Sequence, residues 1–128
     1  MKTILIIEDN EADQCLWTLL LLKTFPDIKI LTAFDGEEGL QVLKEAETPP
    51  DLILLDINMP KMSGHQFLKI FSDNNTKELP IVVMLTSSDL PKDKEQALAY
   101  KCVKDYMLKP IKKENLETLE ALVAAYRA

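Results

Sequence analysis

Asp51-Leu52-Ile53-Leu54-Leu55-Asp56-Ile57-Asn58-Met59-Pro60 is the stretch that decides the fold. Its apolar run, Leu52 to Leu55, has the length and pattern of a strand buried on both faces, as in a parallel sheet covered by helices. Asp56 stands where that strand leaves the core, at its carboxyl end. A second run, Ile4-Leu5-Ile6-Ile7, delivers Glu8-Asp9 in the same way. In an open parallel sheet the carboxyl ends of the strands face one crevice, where ligands bind. Carboxylates gathered there repel one another and raise one another's pKa values. A hard divalent cation relieves the repulsion, and carboxylates that leave room for bound water suit Mg2+. The same arrangement presents Asp56 as a carboxylate able to accept a phosphoryl group.

Outward from this stretch, strand signals alternate with helix signals along the whole chain. Strands are expected at Thr3 to Ile7, Lys29 to Ala33, Leu52 to Leu55, Ile81 to Leu85 and Asp105 to Leu108. The first helix spans about Glu11 to Phe25 and is stopped by Pro26. Asp35-Gly36 reads as a turn, with a second helix from Gly39 to Glu47. A third helix runs from His65 to Phe71, and 73–76 reads as a loop. Pro91 opens a fourth helix over Lys92 to Tyr100. The last helix begins near Glu114, with Leu116, Leu119, Val123 and Tyr126 as its buried stripe. Strict alternation of this kind implies a single α/β domain, 1–128, with a parallel sheet covered on both faces.

Composition sets the outer bounds. The chain has 128 residues, 47% hydrophobic and 28% charged, with a net charge of -6. A single domain of this size builds its own core. The acidic balance argues against nucleic acid as a partner, because phosphate backbones need a basic face. No stretch is apolar for long enough to span a bilayer, and Glu8-Asp9-Asn10 interrupts the first apolar run too early for a signal peptide. Cys15 and Cys102 have no metal-type spacing and are expected to be reduced thiols of a cytoplasmic protein.

The chain resembles the CheY-like receiver domain of two-component response regulators. The resemblance rests on Glu8-Asp9 after strand one, Asp56 followed by Met59-Pro60 and Gly64, Thr86 after strand four, and Lys109-Pro110 after strand five. It implies a flavodoxin-like, five-stranded parallel sheet of order 2-1-3-4-5 with five helices on its two faces. It implies Mg2+ as cofactor, with Mn2+ as a substitute, and a histidine kinase or histidine phosphotransfer protein as phosphoryl donor. Asp56 matches the phosphoacceptor. Asp9 matches the direct Mg2+ ligand, Glu8 its neighbour acting through water, and Asn58 the residue whose backbone carbonyl also binds the metal. Lys109 matches the lysine that contacts the phosphoryl group. Glu8, Asp9 and Asp56 carry about -3, which Mg2+ and Lys109 together balance. Pro110 follows that lysine, and the family's usual isomer there is cis, although sequence does not fix it.

Two places depart from the family's pattern. Thr86, Ser87 and Ser88 are consecutive where one hydroxyl residue is expected. Spacing from Asp56 favours Thr86 and spacing back from Lys109 favours Ser87. Thr86 is preferred, because an extra residue fits a loop more easily than a buried strand. Ser88 and Asn58 then take the positions that tune attack by water on the phosphoryl group. Cys102-Val103 replaces the Gly-Ala pair that usually precedes strand five. Tyr106 matches the switch aromatic, expected to move inward as Thr86 turns toward a phosphorylated Asp56. The surface of helix four, strand five and helix five would then meet a downstream protein or a second copy in a phosphorylation-dependent homodimer; onward transfer of the phosphoryl group is the other route of output.

Other conspicuous residues read as structural. His65 is expected at the surface, and Trp17 in or near the core. Six of the seven residues from Leu16 to Leu22 are apolar, more than one core-facing stripe. With Leu16 and Leu20 inward, Leu19 and Leu22 would face outward, where receivers commonly dock their kinase. The chain's end at Ala128 implies a stand-alone receiver, monomeric or dimerising on phosphorylation. Two other readings differ in class: a phosphorylation-independent binding module, and a Mg2+-dependent phosphohydrolase. The intact acids, hydroxyl and Lys109 weigh against the first. Asn58, where aspartyl-phosphate hydrolases typically carry a second acid, weighs against the second.

Overall fold

The strands are β1 (Thr3–Ile7), β2 (Lys29–Ala33), β3 (Leu52–Leu55), β4 (Ile81–Thr86) and β5 (Val103–Leu108). They alternate with α1 (Glu11–Thr24), α2 (Gly36–Glu45), α3 (Gly64–Asn74), α4 (Pro91–Leu98) and α5 (Lys113–Arg127). This is the architecture of a computed structural model, which describes residues 1–75 and 77–127. All pairings are parallel, in the order β2-β1-β3-β4-β5. Register fixes the crevice. Ile7 of β1 lies level with Leu55 of β3, so Glu8 and Asp56 leave neighbouring strands side by side.

Side chains alternate along each strand and divide the core into two layers. Ile4, Ile6, Leu54 and Val83 face Trp17 and Leu21 of α1 and Leu116, Leu119 and Val123 of α5. Leu5, Ile7, Ile53 and Leu55 face Phe67, Leu68 and Phe71 of α3. Tyr106 packs against the second layer and Met107 belongs to the first, as strand alternation requires. Tyr126, the last of the expected α5 stripe, is only partly buried.

Several element boundaries differ from the sequence reading, each for a local reason. α2 begins at Gly36 rather than Gly39, because Asp35 is its N-cap and accepts the Glu38 N–H at 2.8 Å. α3 begins at Gly64 behind a capping box, in which Ser63 and Gln66 each accept the other's backbone N–H. It continues to Asn74, so 73–74 are helical rather than loop. α4 spans Pro91–Leu98, shorter than expected, with proline in its first turn. β5 starts at Val103, two residues early, because the β4–β5 register shifts between Val82 and Val83 and the pairing passes over Lys104. On α1, Leu16 does not point inward. It is 44% exposed, while Gln14, Trp17 and Leu21 make the buried stripe.

Candidate phosphoryl and metal site

Glu8 and Asp9 follow β1 directly, and Asp56 follows β3. Each offers a carboxylate oxygen within 4.8 Å of the others'. Glu8 is fully buried, Asp56 is 5% exposed, and Asp9 opens to solvent. One Asp56 oxygen accepts the Ile57 N–H at 2.8 Å, which orients the carboxylate and leaves the other oxygen toward the crevice. Glu8 Oε2 accepts the Asn10 N–H at 3.0 Å. Asn10 also caps α1 through the Asp13 N–H, so the turn that shapes the acids starts the helix. Gln14 donates to the carbonyls of Glu8 and Ala33, at 3.2 and 2.9 Å, and locks α1 to the ends of β1 and β2.

Lys109 enters from the end of β5. Its backbone N–H donates to the Thr86 carbonyl at 2.9 Å, and the Lys109–Pro110 peptide is cis. Its ammonium bonds Glu8 Oε1, bonds Asp13 Oδ2 at 2.9 Å, and lies 3.5 Å from Asp56 Oδ2. It also sits 5.3 Å from the centroid of the Trp17 ring, a cation–π contact. Burial pushes the Glu8 carboxyl up to about 7, against the pull of the Asn10 N–H and Lys109. Burial alone would lower the Lys109 pKa, but its bonds to Glu8 and Asp13 raise it above the ordinary value. The crevice is thus a negative site with one permanent cation, and its donors are hard oxygens of the kind Mg2+ and Mn2+ take.

Thr86 is fully buried at the last position of β4, and its hydroxyl oxygen accepts the Ser88 N–H at 3.3 Å. Ser87 is exposed just beyond it, and so is Asn58 beyond Asp56. The Ser88 hydroxyl donates to Asp93 Oδ2 at 2.5 Å, which ties the loop after β4 to the first turn of α4. The Tyr106 hydroxyl donates to the Ser88 carbonyl at 2.8 Å, which ties β5 to the β4–α4 loop. Burial raises the Tyr106 pKa and keeps that hydroxyl a donor. His65 is a correction. Its ring is mostly buried, with Nε2 at 3.0 Å from Asp93 Oδ1, rather than free at the surface. The Ser88 hydroxyl and then His65 pull the Asp93 pKa down.

Residues 4–120 match the family described as the response regulator receiver domain. The chain belongs to that family. This receiver domain is 29% identical over 126 residues to Protein PilH of Pseudomonas aeruginosa, covering 97% of this chain and 99% of that one. A two component response regulator from Cytophaga hutchinsonii superposes with a TM-score of 0.90 at 28% identity, covering 98% of each chain. The Mn(2+)-bound form of response regulator Rcp1 superposes with a TM-score of 0.76 at 29% identity, covering 95% of this chain and 91% of that one. Other curated relatives are far longer, and this receiver domain spans a third or less of their length. Receiver domains are phosphoacceptors of two-component signalling and generally do not turn over a separate substrate.

The fold brings together Glu8, Asp9, Asp56 and Lys109, all named from sequence. It adds Asp13 and Gln14, which sequence reasoning passed over. Asp13 and Trp17 are spaced four apart on α1, which begins just after Glu8-Asp9, and that spacing was the available signal. The Ser88–Asp93–His65 chain had none, since its members come from separate elements.

Proposed function

We propose that Asp56 is the phosphoacceptor of this receiver domain, taking its phosphoryl group from a histidine kinase or a histidine phosphotransfer protein. The observation that carries the reading is the convergence of Glu8, Asp9 and Asp56 beneath the Lys109 ammonium. An Asp56 carboxylate oxygen forms the new P–O bond as the donor's P–N bond breaks and its imidazole leaves. Glu8, Asp9, Asp56 and the Asn58 carbonyl would hold Mg2+, or Mn2+ in its place. The Mn(2+)-bound form of Rcp1, a protein of similar fold, supports that assignment. When bound, the metal supplies positive charge where the acids and the phosphoryl oxygens crowd. Lys109 holds a second positive charge against the phosphoryl group throughout.

Thr86 is the switch hydroxyl in this reading, since it is buried at the strand end whereas Ser87 is exposed. A phosphoryl oxygen on Asp56 draws the Thr86 hydroxyl from the Ser88 N–H and loosens the β4–α4 loop to which Tyr106 is bonded. The face of α4, β5 and α5 then changes, for a downstream protein or for a second copy. A monomer or a phosphorylation-dependent homodimer, a cytoplasmic setting and no nucleic-acid partner complete the reading, the last in keeping with a net charge of -6. Among the described residues, no helix is long and apolar enough to cross a membrane.

Acetyl phosphate with Mg2+ tests the central claim. The wild-type protein should gain the mass of one phosphoryl group, and Asp56→Asn should gain none while keeping its circular dichroism. The amide preserves shape but is a poor nucleophile. Equal labelling of the Asn variant would put the acceptor elsewhere.

A further inference from the structure

The Lys109 ammonium has three N–H groups, and its acid neighbours are Glu8, Asp13 and Asp56. They are not equivalent. Glu8 is buried, and without Lys109 its Oε1 would lose a charged partner in a place water does not reach. Asp56 Oδ2 stands off at 3.5 Å. Asp13 holds a bond of 2.9 Å, yet its side chain is 35% exposed and rehydrates at little cost when that bond opens. Asp13 and Trp17 lie one turn apart on α1, so the helix offers Lys109 both an anion and an aromatic face. Gln14, bonded to the Glu8 and Ala33 carbonyls, fixes the rotation of α1 that places them there.

We propose that Asp13 is a positioning residue that competes with the phosphoryl group for Lys109. It holds the ammonium toward α1 and the Trp17 ring while Asp56 is unmodified, and yields it when a phosphoryl group arrives. This rests on Asp56 being the acceptor. A phosphoryl group adds strong acceptor oxygens on the Asp56 side. Two N–H groups are bonded, to Glu8 and Asp13, and the third faces Asp56 across 3.5 Å; for the ammonium to close on phosphoryl oxygens there it must shift toward Asp56, and the Asp13 bond is the one that solvent can replace. Asp13 therefore lowers the affinity of the site for a phosphoryl group.

Trp17 reports the position of Lys109. It is the chain's one tryptophan, and it is 1% exposed and fixed in the core, so it cannot follow the lysine. Lys109→Met, which removes the ammonium from over the ring, gives the reference emission. In metal-free protein, Asp13→Asn should move Trp17 emission from the wild-type value toward that reference. With Mg2+ present, beryllium fluoride, a phosphoryl mimic, should drive wild-type emission the same way. Asp13→Asn should reach half-saturation at roughly two- to fivefold less beryllium fluoride, the scale of a partly exposed ion pair. Glu11→Gln removes an equal charge from the same helical turn at a residue that does not bond Lys109, and should leave both readings unchanged. Wild-type emission and midpoint in Asp13→Asn, or an equal shift in Glu11→Gln, would overturn the role of Asp13. No response of wild-type protein to beryllium fluoride, matched by Asp56→Asn, would instead overturn the acceptor assignment on which it rests.

Discussion

Glu8 shows how a single residue ties the chemistry of the crevice to the stability of the domain. Its carboxyl ordinarily titrates at 4.5 and is pushed up to about 7 by burial in the metal-free fold. The folded state thus holds the Glu8 proton more tightly than the unfolded chain does. Its contribution to stability is complete below about pH 4.5 and is lost as pH rises through about 7. With a chelator present, the melting temperature should fall between pH 6 and pH 8. Glu8→Gln, neutral at every pH and still able to accept from Lys109, should flatten that slope. Calorimetry at matched ionic strength checks it, and an identical slope in both proteins would remove Glu8 as the cause. Sequence alone placed Glu8 at a strand end, which is local information. How deeply it is buried depends on the elements that close over it.

At the scale of the element, the start of α3 shows why the loop after Asp56 carries a glycine. A Cβ on Gly64 would stand 2.3 Å from the Asp56 carbonyl oxygen and 2.8 Å from the Ile57 Cα. Both are backbone atoms and cannot swing aside. The Gly64 N–H also donates to the Ile57 carbonyl at 2.7 Å, so helix and acceptor segment are held in direct contact. Gly64→Ala should destabilise the domain by about 1–3 kcal/mol, the range for overpacking a rigid site. It should also slow labelling of Asp56, because relief of the clash moves that backbone. Denaturant unfolding and acetyl phosphate labelling read the two effects separately, and wild-type values in both would mean that the contact yields freely. The helix itself was legible from Pro60, Gly64 and the apolar residues that follow. Its extension to Asn74 was not, because Asp73-Asn74-Asn75 has the composition of a loop while the backbone hydrogen bonds of the helix continue through Asn74.

At the scale of the whole molecule, β5 is an edge strand beside the β4–α4 loop, and the proposed switch uses that position. Tyr106 bonds the Ser88 carbonyl across that boundary, and Leu90, Leu98 and Leu108 expose large apolar side chains on α4, its approach and β5. A shift between two states needs contacts that differ between them, and in the proposed switch the tyrosine bond is the contact that changes. Tyr106→Ala should leave phosphorylation of Asp56 close to wild type while weakening any phosphorylation-dependent partner or dimer contact severalfold. NMR with beryllium fluoride should show changes along α4 and β5 in the wild-type protein that shrink in the variant. Unchanged spectra around Tyr106 in the wild-type protein would rule out the switch.

The sequence by itself determined the layers, the order of elements and the strand-end acids. A run such as Leu52 to Leu55 can be buried only from both sides, and alternation with helices leaves few topologies for a parallel sheet. It also marked Asp56, the first charged residue after the apolar run Leu52 to Leu55, and Lys109, the first after Tyr106-Met107-Leu108. Only the tertiary structure decided which way α1 is turned. Leu16 to Leu22 carries no single apolar stripe, and the choice that sends Leu16 outward and Trp17 inward goes with the Gln14 bonds to the ends of β1 and β2. That rotation brings Asp13 to Lys109 from 96 positions away. The joining of His65 and Ser88 through Asp93 is of the same kind. Such contacts follow from where separate elements come to rest against one sheet, and no local pattern encodes that distance.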